Sequence, residues 1–112
     1  MDIFEAVKKR YSCRNYEEKE VEKEKLEKVL DAARLAPSAK NLQDWRFVVT
    51  TDRELKHKLA LAANEQMFIE KAGAVITACS NNDHIMRCGQ HIGPIDVSIA
   101  LDHMTLAAAA LG

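Results

Sequence analysis

The sequence has 112 residues, 47% hydrophobic and 29% charged, with a net charge of −1 and a pI near 6.4, the make-up of one soluble globular domain. Near-neutral charge leaves no basic footprint for nucleic acid, and no apolar run approaches the ~20 residues that span a bilayer. The N-terminus lacks the basic and apolar regions of a secretory signal, and Cys13, Cys79 and Cys88 are odd in number without framework spacing. The expectation is a cytoplasmic protein with no nucleic-acid or membrane partner.

Asp2-Ile3-Phe4-Glu5 has the form of a capping box. It opens a short helix with Ile3, Phe4 and Val7 as its apolar stripe and Lys8, Lys9 and Arg10 at the end where the helix dipole favours cations. Arg10-Tyr11-Ser12-Cys13-Arg14-Asn15-Tyr16 then reads as extended, which would put Arg10, Ser12 and Arg14 on one face. Two guanidinium groups flanking a hydroxyl suit a phosphate; ion pairs to the acidic segment that follows are the competing use. Residues 17–25 are a solvated charged connection. The next helix buries Leu26, Val29, Leu30 and Ala33 and stops before Pro37, which disfavours helical backbone at Ala36.

The stretch Pro37-Ser38-Ala39-Lys40-Asn41-Leu42-Gln43-Asp44 is a loop rich in hydroxyl and amide groups, where Ala39 lets a flat ligand approach the backbone. Read plainly it is a helix-to-strand connection. Trp45 to Thr51 is a strand of β-branched and aromatic residues. Asp52 can cap a helix with Leu55, Leu59 and Ala62 facing inward, residues 64–71 continue as a second short helix, and residues 73–79 form an interior strand, apolar on both faces. Residues 80–93 are irregular and read as a mobile surface loop. Cys79, His84, Cys88 and His91 could be taken for zinc ligands, but C-x4-H-x3-C-x2-H matches no established ligand spacing, and no metal is assigned. Pro94 to Leu111 is a helix with Pro94 and Asp96 in its first turn, apolar nearly all round and therefore expected to be covered on all sides. His103 on it reads as structural. Gly112 suits the position after a helix. Two strands leave sheet edges exposed, so the chain reads as part of something longer or as a protomer completed by another.

Arg10 to Tyr16, Ala36 to Phe47 and Asp96 to Gly112 together resemble the flavin-dependent nitroreductase family in order and spacing, with Asp44 where proline is usual. The resemblance implies an α+β fold, helices around a central mixed or antiparallel sheet, with residues 1–112 as the N-terminal part of a single domain. It implies flavin mononucleotide (FMN) held in sites shared by a homodimer, NAD(P)H as electron donor and a nitroaromatic, quinone or similar small molecule as acceptor. Arg10 and Ser12, with Tyr11 between them, would hold the phosphate and ribityl chain, and Arg14 would lie near the pyrimidine edge of the ring. Pro37, Ser38, Ala39 and Asn41 would come from the other subunit, and Asn64 matches a flavin or substrate contact. No catalytic side chain is implied. The rival readings are a truncated flavin-binding or dimerisation fragment without turnover, a related flavin enzyme such as a dehalogenase, and a metal-binding regulatory domain.

Overall fold

The computed structural model describes residues 1–81 and 83–112. Its elements are α1 (Ile3–Lys9), α2 (Lys23–Arg34), β1 (Trp45–Thr50), α3 (Arg53–Ala62), β2 (Val75–Ser80) and α4 (Ile92–Leu111), with 3₁₀ turns at Ala39–Asn41 and Met67–Lys71. β1 and β2 pair in a small antiparallel sheet. The chain divides into two compact units, Met1–Arg10 with Lys23–Phe47 and Ala78–Gly112, and Tyr11–Glu22 with Val48–Thr77.

In the first unit α4 packs against α2 and α1. The capping box forms as the sequence predicts: Glu5 N donates to Asp2 Oδ1 at 2.9 Å and Asp2 N to Glu5 Oε2 at 3.2 Å. The stripe of α1 turns out differently. Small Ala6 is the buried residue, while Ile3, Phe4 and Val7 stay exposed, Phe4 by 75%, because a methyl group lets the short helix lie close and turns the larger side chains outward. α2 follows the predicted register, with Ala33 buried and Leu26, Val29 and Leu30 half-buried. It ends at Arg34, ahead of Pro37.

α4 begins at Ile92, two residues before the predicted start, and Pro94 still falls in the first turn, where no intrahelical N–H is needed. Asp96 consequently lies in the second turn. The buried residues Ile92, Asp96, Ala100 and Met104 recur every fourth position along one edge, with Gly93 beside them, whereas Ile95 and Leu101 are exposed. The all-round burial expected of this helix is thus confined to one edge. α4 departs from the expectation of no such run: with 20 residues it is the one described helix long and apolar enough to cross a bilayer, although Asp96, Ser98, Asp102 and His103 interrupt its apolar residues. Residues 84–92, expected to be a mobile loop, form a hydrogen-bonded turn: Met86 N donates to Gln90 O and Gly89 N to Met86 O, each at 2.8 Å, and Ile92 N to His84 O at 3.0 Å. Gly89 supplies the positive φ of 88°.

In the second unit Asp52 caps α3, its Oδ2 accepting from Leu55 N at 2.9 Å. The inner face of α3 carries Ala60, with Lys56, Leu59 and Ala63 half-buried, and leaves Leu55 and Ala62 exposed. Lys56 explains the altered register: its stem lies along the unit while Nζ donates to Ala72 O at 2.8 Å. The predicted second helix is a 3₁₀ turn packed against α3, preceded by Asn64 and Glu65 in left-handed conformation (φ 60° and 59°). Tyr16 meets Phe68 with ring centroids 6.0 Å apart. Gly73 lies under the charged segment, where a Cβ would stand 2.1 Å from Lys19 O. Cys79 is exposed and β2 is half-buried on both faces, since a two-stranded sheet cannot enclose it.

Candidate functional site

The loop after α2 is built to hold an unusual backbone. Lys40, Asn41 and Gln43 all take positive φ, 54°, 55° and 51°, at a cost of about 1 kcal/mol each for residues other than glycine. Side chains supply the compensation. Ser38 Oγ accepts from Gln43 N at 3.1 Å, and Gln43 Nε2 donates to Asn41 Oδ1 at 2.6 Å. From beneath, both oxygens of Asp96 accept the Ala39 N–H, at 3.1 and 3.2 Å. Asp96 is only 6% exposed, and burying its carboxyl would be costly without such a donor.

What the loop presents outward is a set of donors. The Ser38 hydroxyl keeps its own proton, the Asn41 amide nitrogen bonds to none of the described residues, and Lys40 adds an exposed cation. Pro37 is exposed beside them, and Ala39 keeps the surface low. Such a set suits a planar ligand with an acceptor-rich edge or a phosphate, so the residues present fit a flavin nucleotide. Asp44 closes the loop; with the Asn81 amide turned so that its nitrogen faces the carboxylate, the orientation its hydrogen bonding requires, that nitrogen donates at 2.9 Å to Oδ1 and 3.2 Å to Oδ2.

In the second unit Tyr11, Ser12 and Arg14 are exposed and lie outside regular elements. The even alternation of faces is interrupted, because Cys13 N donates to Tyr11 O at 3.1 Å and closes a tight turn. Arg14 Nη1 folds back to Ser12 O at 3.2 Å. Among the described residues Arg14 makes no ion pair with the acidic segment, which leaves the rest of its fork open to an anion. Burial pushes the Tyr16 phenol above its ordinary range, Cys13 adding to the rise and Arg14 opposing it; the Cys13 side chain raises Tyr11 as well. Asn64 is exposed at the C-terminal end of α3, where its left-handed backbone also serves to stop the helix. Arg10 is the C-cap of α1. Among the described residues no three His, Cys, Asp or Glu side chains gather as a metal site.

Asp96 is the site residue that pattern reading misplaced. Its signal was available, since a carboxyl in an otherwise apolar helix must find a donor.

Among the described residues, four helices, a two-stranded sheet and a polar loop tied to α4 by Asp96 make this an α+β chain. Residues 7–92 match the Nitroreductase family, and the chain belongs to it. A protein of Methanothermobacter thermautotrophicus named as an NADH dehydrogenase/NAD(P)H nitroreductase is 35% identical over 112 residues, 100% of this chain and 58% of the relative. A nitroreductase family protein of Clostridium difficile 630 has the same fold, with a TM-score of 0.86 and 46% identity, over 100% of this chain and 64% of its own. An FMN-dependent nitroreductase of Clostridium difficile R20291 superposes with a TM-score of 0.84 at 36% identity, over 97% and 61%. The chain spans about three fifths of the length of these relatives.

Proposed function

We propose that this protein is an FMN-dependent oxidoreductase that passes reducing equivalents from NAD(P)H to a small-molecule acceptor such as a nitroaromatic or a quinone. It works as a cytoplasmic homodimer with shared flavin sites. The observation that carries the reading is the glycine-free loop at residues 38–43, in which Lys40, Asn41 and Gln43 are left-handed and the backbone is tied down by Asp96. The homodimer is supported by the exposed apolar residues Ile3, Phe4 and Val7 of α1 and Ile95 and Leu101 of α4.

When bound, FMN would supply the redox chemistry, as hydride acceptor for the nicotinamide and electron donor for the acceptor. The protein's part is binding, orientation and charge. Arg10 and Ser12, with Tyr11, hold the phosphate end. Arg14 would hold a permanent positive charge near the pyrimidine edge of the ring and so favour its reduced, negatively charged form. Pro37, Ser38, Ala39 and Asn41 would come from the second copy and cover the ring or the phosphate end, and Asn64 would contact the flavin or the substrate. No side-chain nucleophile is required.

The test is the absorption spectrum of the purified protein before and after adding FMN, followed by NAD(P)H oxidation with a nitroaromatic or quinone. Bound flavin absorbing near ~450 nm and acceptor-dependent oxidation are expected. Failure to retain FMN refutes the reading. Retention without turnover shows a flavin-binding or dimerisation module instead, and turnover only with a halogenated acceptor a dehalogenase-like enzyme.

A further inference from the structure

We infer that Asp96 is a positioning residue for the cofactor: from the second turn of α4 it sets the height and tilt of the 38–43 loop by gripping one backbone N–H. The inference rests on the flavin reading above and deepens it. The geometry singles out Asp96 in three ways. It is the one buried charged side chain among the described residues, both its oxygens converge on Ala39 N, and that amide opens the 3₁₀ turn leading into Lys40 and Asn41. Ala39 N–H is thereby aimed inward at α4, so the outward face of the turn is left to Ser38 and Asn41. Without the carboxyl the turn keeps its internal bonds, Asn41 N to Ser38 O at 3.0 Å, Leu42 N to Ala39 O at 3.1 Å and Gln43 N to Ser38 Oγ at 3.1 Å, but loses its side-chain tie to α4, so a turn with strained residues would shift as a body and carry Ser38 and Asn41 with it. Asp96 touches no cofactor itself; it acts through Ala39.

The experiment compares FMN affinity, by quenching of flavin fluorescence, in wild type, Asp96→Ala and Asp96→Asn, alongside the rate of trypsin cleavage after Lys40, which lies in the loop. Asp96→Asn keeps Oδ1 as an acceptor, so it is expected to bind within about threefold of wild type. Asp96→Ala is expected to bind about tenfold more weakly or worse, and to be cut after Lys40 faster by a similar factor, at temperatures where circular dichroism shows it folded. Should Asp96→Ala not fold, Ala39→Pro removes the same bond from the donor side, and Ser38, at φ −138° and ψ 153°, already has the backbone a following proline needs; the same loss is expected. Wild-type binding with unaltered affinity and cleavage in Asp96→Ala, or in Ala39→Pro where that stands in, overturns this inference alone. An Asp96→Asn variant as weak as Asp96→Ala also overturns it, because the bond and not the charge is what it invokes. A wild-type protein that takes up no FMN overturns the functional reading and this inference together.

Discussion

Gly73→Ala should be among the most damaging single-methyl additions in the chain. The new Cβ would stand 2.1 Å from Lys19 O, 3.0 Å from Val21 Cγ2 and 3.2 Å from Val21 N. To bring the first contact even to 3.0 Å, the segment at residues 19–21 must retreat by about 0.9 Å. Two of the three atoms are backbone, so no rotamer change relieves them. Overpacking of this kind costs about 1–3 kcal/mol, and the backbone clash places it in the upper part of that range. Alanine restricts the unfolded chain and returns about 0.4–1 kcal/mol, leaving a net loss of about 2 kcal/mol. With a urea slope of about 1–3 kcal/mol per molar, the midpoint should fall by about 1 M. Gly89→Ala is the control: nothing lies within 4 Å of its Cβ, and only its φ of 88° is penalised, at about 1 kcal/mol. Urea denaturation followed by circular dichroism measures both. A Gly73→Ala midpoint no lower than that of Gly89→Ala would refute the argument that this glycine is required for close passage of the charged segment.

Arg14→Ala should weaken FMN binding by about tenfold or more, the loss expected on removing a charge-assisted contact, and slow flavin reduction; affinity and rate both unchanged would show that the charge acts elsewhere. The two tyrosines carry a pH signature. Cys13 raises the Tyr11 phenol and burial raises Tyr16 above the ordinary 10.0, so the folded protein holds both protons more tightly than the unfolded chain. The stabilisation is fully present below pH ~10 and is lost as pH climbs through the folded values. Phenolate absorbance should therefore appear at higher pH in native protein than in urea, and coincident titrations would contradict it.

Much of the local structure was legible because it depends on neighbouring residues. The Asp2 and Asp52 caps, the apolar spacing of α2 and its end ahead of Pro37 all follow from side chains within one or two turns. The misreadings share a different cause. Whether Phe4 or Ala6 of α1 is buried, whether Leu55 or Lys56 lies inward on α3, and whether α4 is covered on one edge or all round are decided by what packs alongside, which periodicity cannot report. The loop at residues 38–43 divides the same way. Its polar, small-residue chemistry was readable, but its three left-handed residues were not, since Lys40 and Gln43 are not types that announce positive φ. Its anchor lies 57 residues away in sequence, beyond any local pattern.

Asp44 stands where the motif of residues 37–47 usually has proline, and its carboxyl is bridged by the Asn81 amide. A pyrrolidine ring would make the corner ahead of Trp45 rigid by covalent closure, at all times and under all conditions. A two-pronged polar latch achieves a comparable stiffness only while both side chains keep their rotamers. One bond rotation at either residue releases it, so the entrance to β1 can breathe on the timescale of side-chain hops, a freedom that the ring would forbid.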